Sequence, residues 1–197
     1  MIVVIAVAVY FLFFYKSGND KPAEVHQKPL AISKNSDSFN VPFDNMLQTY
    51  YSLKNALVNW DTVKVDEEAS NLASAAAKIP YEDLKADTTV ILTAKSFSDN
   101  VVNESKALVS KSNIEDKRRS FNTISDALYN LVRTVQYDRD VVYHMTCPMA
   151  FNDSEPGFWL SDTNKIINPY LGNKHPKYHT AMLGCGNVLD SIDFTRE

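Results

Sequence analysis

The sequence predicts an all-α domain: an antiparallel four-helix bundle with an irregular C-terminal segment packed on it. Three observations carry this. Apolar residues recur at intervals of three and four over four successive stretches between Val41 and Arg139. Asp61, Asp87 and Asn113, residues suited to helix starts, head the second, third and fourth stretches. After Arg139 the periodicity stops. Pro148, Pro156, Pro169 and Pro176 then punctuate the chain, with Gly157, Gly172, Gly184 and Gly186.

The elements follow in order. Residues 1–16 form an N-terminal membrane anchor or signal segment, because Ile2 to Tyr15 is unbroken apolar sequence. About 14 residues rise roughly 21 Å as a helix, short of the ~30 Å hydrocarbon core, a length that suits a signal-peptide h-region. The flanks argue for an uncleaved anchor. No A-x-A site follows, Lys16 comes at once, and no cysteine offers a lipid acceptor. The lack of a basic stretch ahead of the run predicts that the true start lies upstream. Taken alone, Lys16 and Lys21 would hold the body in the cytoplasm. Residues 17–40 are polar, with Lys-Pro pairs and Ser-Lys-Asn-Ser-Asp-Ser, and read as a flexible linker.

The bundle is expected over 41–139. Pro42 and Asp44 suit the first start, and Phe43, Met46, Leu47, Tyr50, Leu53, Leu57 and Trp60 share one face. Asp61 caps a second helix running to Lys78, with Val65, Ala69, Leu72, Ala76 and Ile79 as its stripe, and Pro80 ends it. A third helix over about Asp87 to Lys111 carries Val90, Ala94, Phe97, Val101 and Leu108. Asn113, with Asp116 three residues on, opens a fourth, lined by Phe121, Ile124, Leu128, Leu131 and Val135. The charges from Asp116 to Arg119 read as a solvated helix start. Short connections between four such helices imply an antiparallel bundle.

Residues 140–197 read as a segment with too little amphipathic pattern to fold alone, anchored on the bundle by Phe158, Trp159, Leu160 and Tyr170. Soft donor atoms are concentrated there: both cysteines, Cys147 and Cys185, three of the four histidines and three of the five methionines. Thiolate and thioether sulfur prefer Cu(I), whereas zinc takes Cys and His but rarely Met. The candidate metal ligands are Cys147, Met149, Met182 and Cys185, with His144 in reserve. His175 and His179 flank Pro176 and read as loop histidines. The other reading of the same cysteines is a Cys147–Cys185 disulfide that staples a Pro-rich tail.

Other functions find little support. A net charge of -4 and a pI of about 5.6 argue against a nucleic-acid binder. No GxGxxG or GxxxxGK[ST] run marks a nucleotide site, and no HExxH or paired Glu-x-x-His motif marks a metalloenzyme. Nothing around Cys147, His144 or His179 matches a thiol protease. The expectation is a non-catalytic protein.

The residues that carry the chemistry also carry a resemblance. Cys147-Pro148-Met149-Ala150, Trp159-Leu160-Ser161, Ile167-Asn168-Pro169-Tyr170 with Gly172, Met182-Leu183 and Cys185-Gly186 occur in order. Upstream stand Tyr50-Tyr51, then Leu57-Val58 and Asp61. The chain thereby resembles bacterial envelope proteins with a small helical domain of unassigned function, allied to heavy-metal (copper) efflux adaptors. The resemblance implies an exported location, a four-helix body and a heavy-metal-binding role, here copper, at Cys147, Met149, Met182 and Cys185. With the apolar N-terminal run, the expected place is the cell envelope, either anchored in the inner membrane facing the periplasm or exported. It also implies partners among metal-efflux or other envelope proteins. The stretch from Asn173 to Ala181 is longer than in that family.

Overall fold

The computed structural model describes residues 35–195. The anchor read over 1–16 and most of the linker read over 17–40 lie outside the described residues. Among the described residues, no helix is long and apolar enough to cross a membrane.

Four helices form where the apolar stripes run: α1 (Asp37–Val58), α2 (Thr62–Ala76), α3 (Thr88–Val109) and α4 (Ile114–Thr134), with a 3-10 turn at Tyr81–Asp83. Three starts are capped by the residues that head them. Asp61 accepts from Lys64 N at 3.0 Å, Asp87 from Val90 N at 3.0 Å, and Asn113 from Asp116 N at 2.8 Å. Each satisfies one of the orphan amides of a first turn. Consecutive helices pack on one another, α1 on α2, α2 on α3 and α3 on α4.

The start of α1 corrects the expectation. The helix begins at Asp37, and Pro42 lies inside it. The extra turn is held by burial. Phe39 is fully buried and stacks on Phe43 at 5.4 Å, and Asn40 donates to Asp138 Oδ1 at 2.8 Å. This packing outweighs the amide bond that proline removes.

The fold class is also corrected. The domain is mixed α/β, not all-α, because the C-terminal segment builds a three-stranded antiparallel sheet: β1 (Val142–Phe151), β2 (Glu155–Ser161) and β3 (Asn187–Ile192), in the order β2-β1-β3. The prolines hid it. The β1–β2 register breaks between Cys147 and Phe151, so Pro148 and, on the other strand, Pro156 fall in a bulge where no ladder amide is required. Asn152 and Asp153, both at positive φ, turn the hairpin, a conformation those two side chains tolerate. Gly157 is required by close packing. A Cβ there would stand 2.7 Å from the Ala150 Cβ and 2.8 Å from the Tyr170 ring.

Sheet and bundle share one core. Tyr50 of α1 stacks on Phe121 of α4 at 5.2 Å. Ser125 Oγ donates to Phe121 O at 2.7 Å, so the Tyr50 hydroxyl donates to Ser125 at 2.7 Å and accepts from Leu160 N of β2 at 2.9 Å. A buried chain of hydrogen bonds thus joins β2, α1 and α4 with every proton assigned. Tyr50→Phe strands the Leu160 amide and should cost about 1–3 kcal/mol in urea unfolding. An unchanged midpoint would show that this bond contributes nothing.

Candidate functional site

β1 presents Met145 and Cys147 on one face and His144 on the other, since side chains alternate along a strand whose register with β2 is unbroken from Tyr143 to Cys147. Cys147 is fully buried. The β3 side brings Cys185 to it. Thr146 pairs with Asn187, so the chain just before β3 runs beside β1. Gly186 makes that approach possible. It lies at φ 144°, and a Cβ there would stand 2.5 Å from Thr146 O and 2.9 Å from the Trp159 ring.

The two sulfurs stand 3.5 Å apart. That is well beyond the ~2.05 Å of a disulfide, so both are free thiols in hydrogen-bond contact. Two thiolates on one tetrahedral ion, each at ~2.3 Å, would be roughly 3.8 Å apart. The pair therefore fits a shared soft ion with an adjustment of a few tenths of an ångström. Burial and the hydrogen bond to Cys147 push the Cys185 thiol up to about 11. At neutral pH it holds its proton. This disfavours a nucleophilic role, which needs a thiolate, and means that a bound metal must expel that proton.

The other candidates are placed unequally. Met149 follows Cys147 in the bulge, and Met182 opens the turn that closes on Cys185, whose amide donates to Met182 O at 3.0 Å. Both methionines are half-buried against the core. His144 is not brought to the thiols. Its ring lies on Tyr129 at 4.1 Å and near Phe158 at 5.7 Å, its Nε2 is buried without a hydrogen bond, and burial lowers its pKa. His175 uses Nδ1 to accept from the amides of Lys177 and Tyr178, each at 3.2 Å, and its ring meets Trp60 and Tyr178. Among the described residues, no three His, Cys, Asp or Glu side chains gather as a metal cage. An ion at the pair would thus rely on thioether sulfur or an outside donor beyond the two thiols. An open groove of about 550 Å³ between α1 and α2 is lined by Pro42, Asn45, Thr49, Ser74 and Lys78, among others, and by none of the candidate ligands.

Two buried residues that tie down the C-terminal segment escaped the reading of ligand types. Asn168 is fully buried. Its Oδ1 accepts from the amides of Tyr170 at 2.8 Å and Leu171 at 3.1 Å, and its Nδ2 donates to Cys185 O at 2.8 Å. Its own amide donates to Leu183 O at 2.8 Å. Arg118 corrects the expectation of a solvated charge run. It is 1% exposed, donates from Nε to Pro169 O at 3.1 Å and from a terminal nitrogen to Leu57 O at 3.2 Å, and lies over the Trp60 ring at 4.0 Å. Lys117 beside it is also buried, donating to Asp66 and to Leu108 O. The signal for Asn168 was its place in Ile167-Asn168-Pro169-Tyr170. Arg118 gave none, since buried cations hide in charged runs.

A family described as "Protein of unknown function (DUF3347)" matches residues 46–140. The match spans the helices from within α1 through α4 and ends before β1 begins at Val142. No curated protein and no solved structure matches the chain. The helical body is thus similar to a family of unknown function, and the thiol pair lies outside the matched residues.

Proposed function

We propose that this domain is a non-catalytic binder of a soft metal ion, copper as Cu(I), acting in storage, sensing or hand-over within the cell envelope. The observation that carries the reading is the approach of Cys147 and Cys185 to 3.5 Å from points 38 residues apart in the chain. Cu(I) favours such sulfur ligands, and Met149 and Met182, two and three residues from the cysteines in the chain, are the thioether candidates. Cys147 is sealed in the core while Cys185 is half-exposed, so the ion would be deeply held yet reachable from one side. The apolar run at Ile2 to Tyr15 would tether the domain to the inner membrane facing the periplasm. The likeness of the C-terminal motifs to copper efflux adaptors points to metal-efflux or other envelope proteins as partners.

Titration of reduced protein with Cu(I), against a competing chelator and without oxygen, tests this. One ion per chain is expected, with affinity falling by about a hundredfold or more, roughly 2.7 kcal/mol, when both cysteines become serine. Undiminished affinity in that double variant would refute the site.

The same geometry favours a second reading, in which the cysteines close into a disulfide that staples the sheet's last strand to β1. The sulfurs need to approach by about 1.5 Å. Protein from an oxidising compartment that shows no free thiol until reduced, and no copper binding after reduction, would establish the staple in place of the metal site.

A further inference from the structure

We infer that Asn168 is a positioning residue that holds the Cys185 thiol against Cys147 and so sets how readily the pair acts as one unit. The inference rests on the thiol pair being the working site, as proposed above. Cys185 lies in a turn-rich stretch outside any strand, and such a stretch does not hold a sulfur within a few ångströms of another without a tie. The structure shows the tie. One fully buried amide group makes three side-chain bonds, two acceptor bonds that shape the turn at Tyr170 and Leu171 and one donor bond to the Cys185 carbonyl. The Asn168 backbone adds a bond to Leu183 O, so both ends of the Leu183–Cys185 stretch are pinned to the same residue. Arg118 fixes the next carbonyl, Pro169 O, to the helices. The thiol is thus connected through Asn168 to the bundle. Gly186 permits the approach of the two strands, and Asn168 selects the position within it.

The two functions of the amide can be separated. Asn168→Asp keeps the two acceptor bonds and removes only the donor, setting a carboxylate oxygen against the Cys185 carbonyl. The test is the thiol–disulfide equilibrium of the whole reduced chain in glutathione buffers. Oxidised glutathione is the oxidant. One cysteine displaces one glutathione to form a mixed disulfide, and the second displaces the other. The two protein thiols lose their protons and two electrons, one S–S bond forms in the protein, and two glutathione thiols are released. The equilibrium constant reports how closely the thiols are held together.

At about pH 9 the N168D variant is expected to show a constant at least about tenfold below the natural chain, with helix content unchanged. Tyr50→Phe, which weakens the core without touching the Cys185 stretch, should leave the constant unchanged. A change in general packing would lower the constant in both variants. An unchanged constant in folded N168D protein overturns the inference, and so does an equal loss in Y50F. Should the variant fail to fold, hydrogen exchange of the natural chain decides. The Asn168 and Cys185 amides are expected to be protected like core amides, and exchange at the rate of a free loop overturns the proposal. Copper is not used here, so failure to bind Cu(I) overturns the metal reading while this constant reports on Asn168 independently.

Discussion

Arg118→Ala is expected to lose about 3–5 kcal/mol of stability in urea unfolding, more than a surface arginine could account for. Two buried carbonyls, Leu57 O at the end of α1 and Pro169 O in the C-terminal segment, would lose their donor, at about 1–3 kcal/mol each. The contact with the Trp60 ring adds roughly 0.5–2 kcal/mol. Burial lowers the guanidinium to about 10, so it stays charged at neutral pH, and the fork of two carbonyls and one ring face is its compensation. Arg118→Lys should recover only part of the loss, since an ammonium cannot reproduce the planar fork. Close packing makes this corner unforgiving. A Cβ on Gly172 would stand 2.6 Å from Val58 O, and Trp60 Nε1 donates to Leu171 O at 3.0 Å. A loss below about 1 kcal/mol for the alanine variant would mean that water replaces the arginine, and that the C-terminal segment is not anchored here.

What could be read from residue order and what could not divides along the same corner. Helix starts at Asp61, Asp87 and Asn113 are local features, each decided within four residues, and all three cap as their chemistry predicts. The start of α1 was misplaced because Pro42 looks like a first-turn residue, while the extra turn depends on Phe39 meeting Phe43 and Tyr81. The sheet was missed for a related reason. Pro148 and Pro156 argue against strands unless they fall opposite one another in a bulge, and that register is a property of the pair. The hairpin did leave a trace in Asn152-Asp153, two residues that accept positive φ. The site followed the same division. Its donor atoms were visible as types, but the rejection of His144 needed the alternation of β1, and the approach of Cys185 needed Gly186 and Asn168.

The affinity of the pair for Cu(I) should climb steeply with pH, and the slope tests which sulfur is the ligand. The metal binds thiolate, and Cys185, pushed up to about 11 by burial and its hydrogen bond to Cys147, keeps its proton at neutral pH. Each ion bound through Cys185 must therefore release at least that proton. Below about pH 11 the apparent association constant then gains at least about tenfold per pH unit, or at least about a thousandfold from pH 6 to pH 9. The metal-free fold responds in the opposite direction. Its Cys185 pKa is raised above the ordinary 9.0, so the stability it contributes is complete below pH 9.0 and is lost as pH rises through about 11, because the unfolded chain sheds the proton first. Copper should accordingly raise the melting temperature more at pH 9 than at pH 6. Cys185→Ser should flatten the affinity profile by one proton. A profile already flat in the natural chain would show that no Cys185 proton is displaced, and would remove Cys185 from the ligand set.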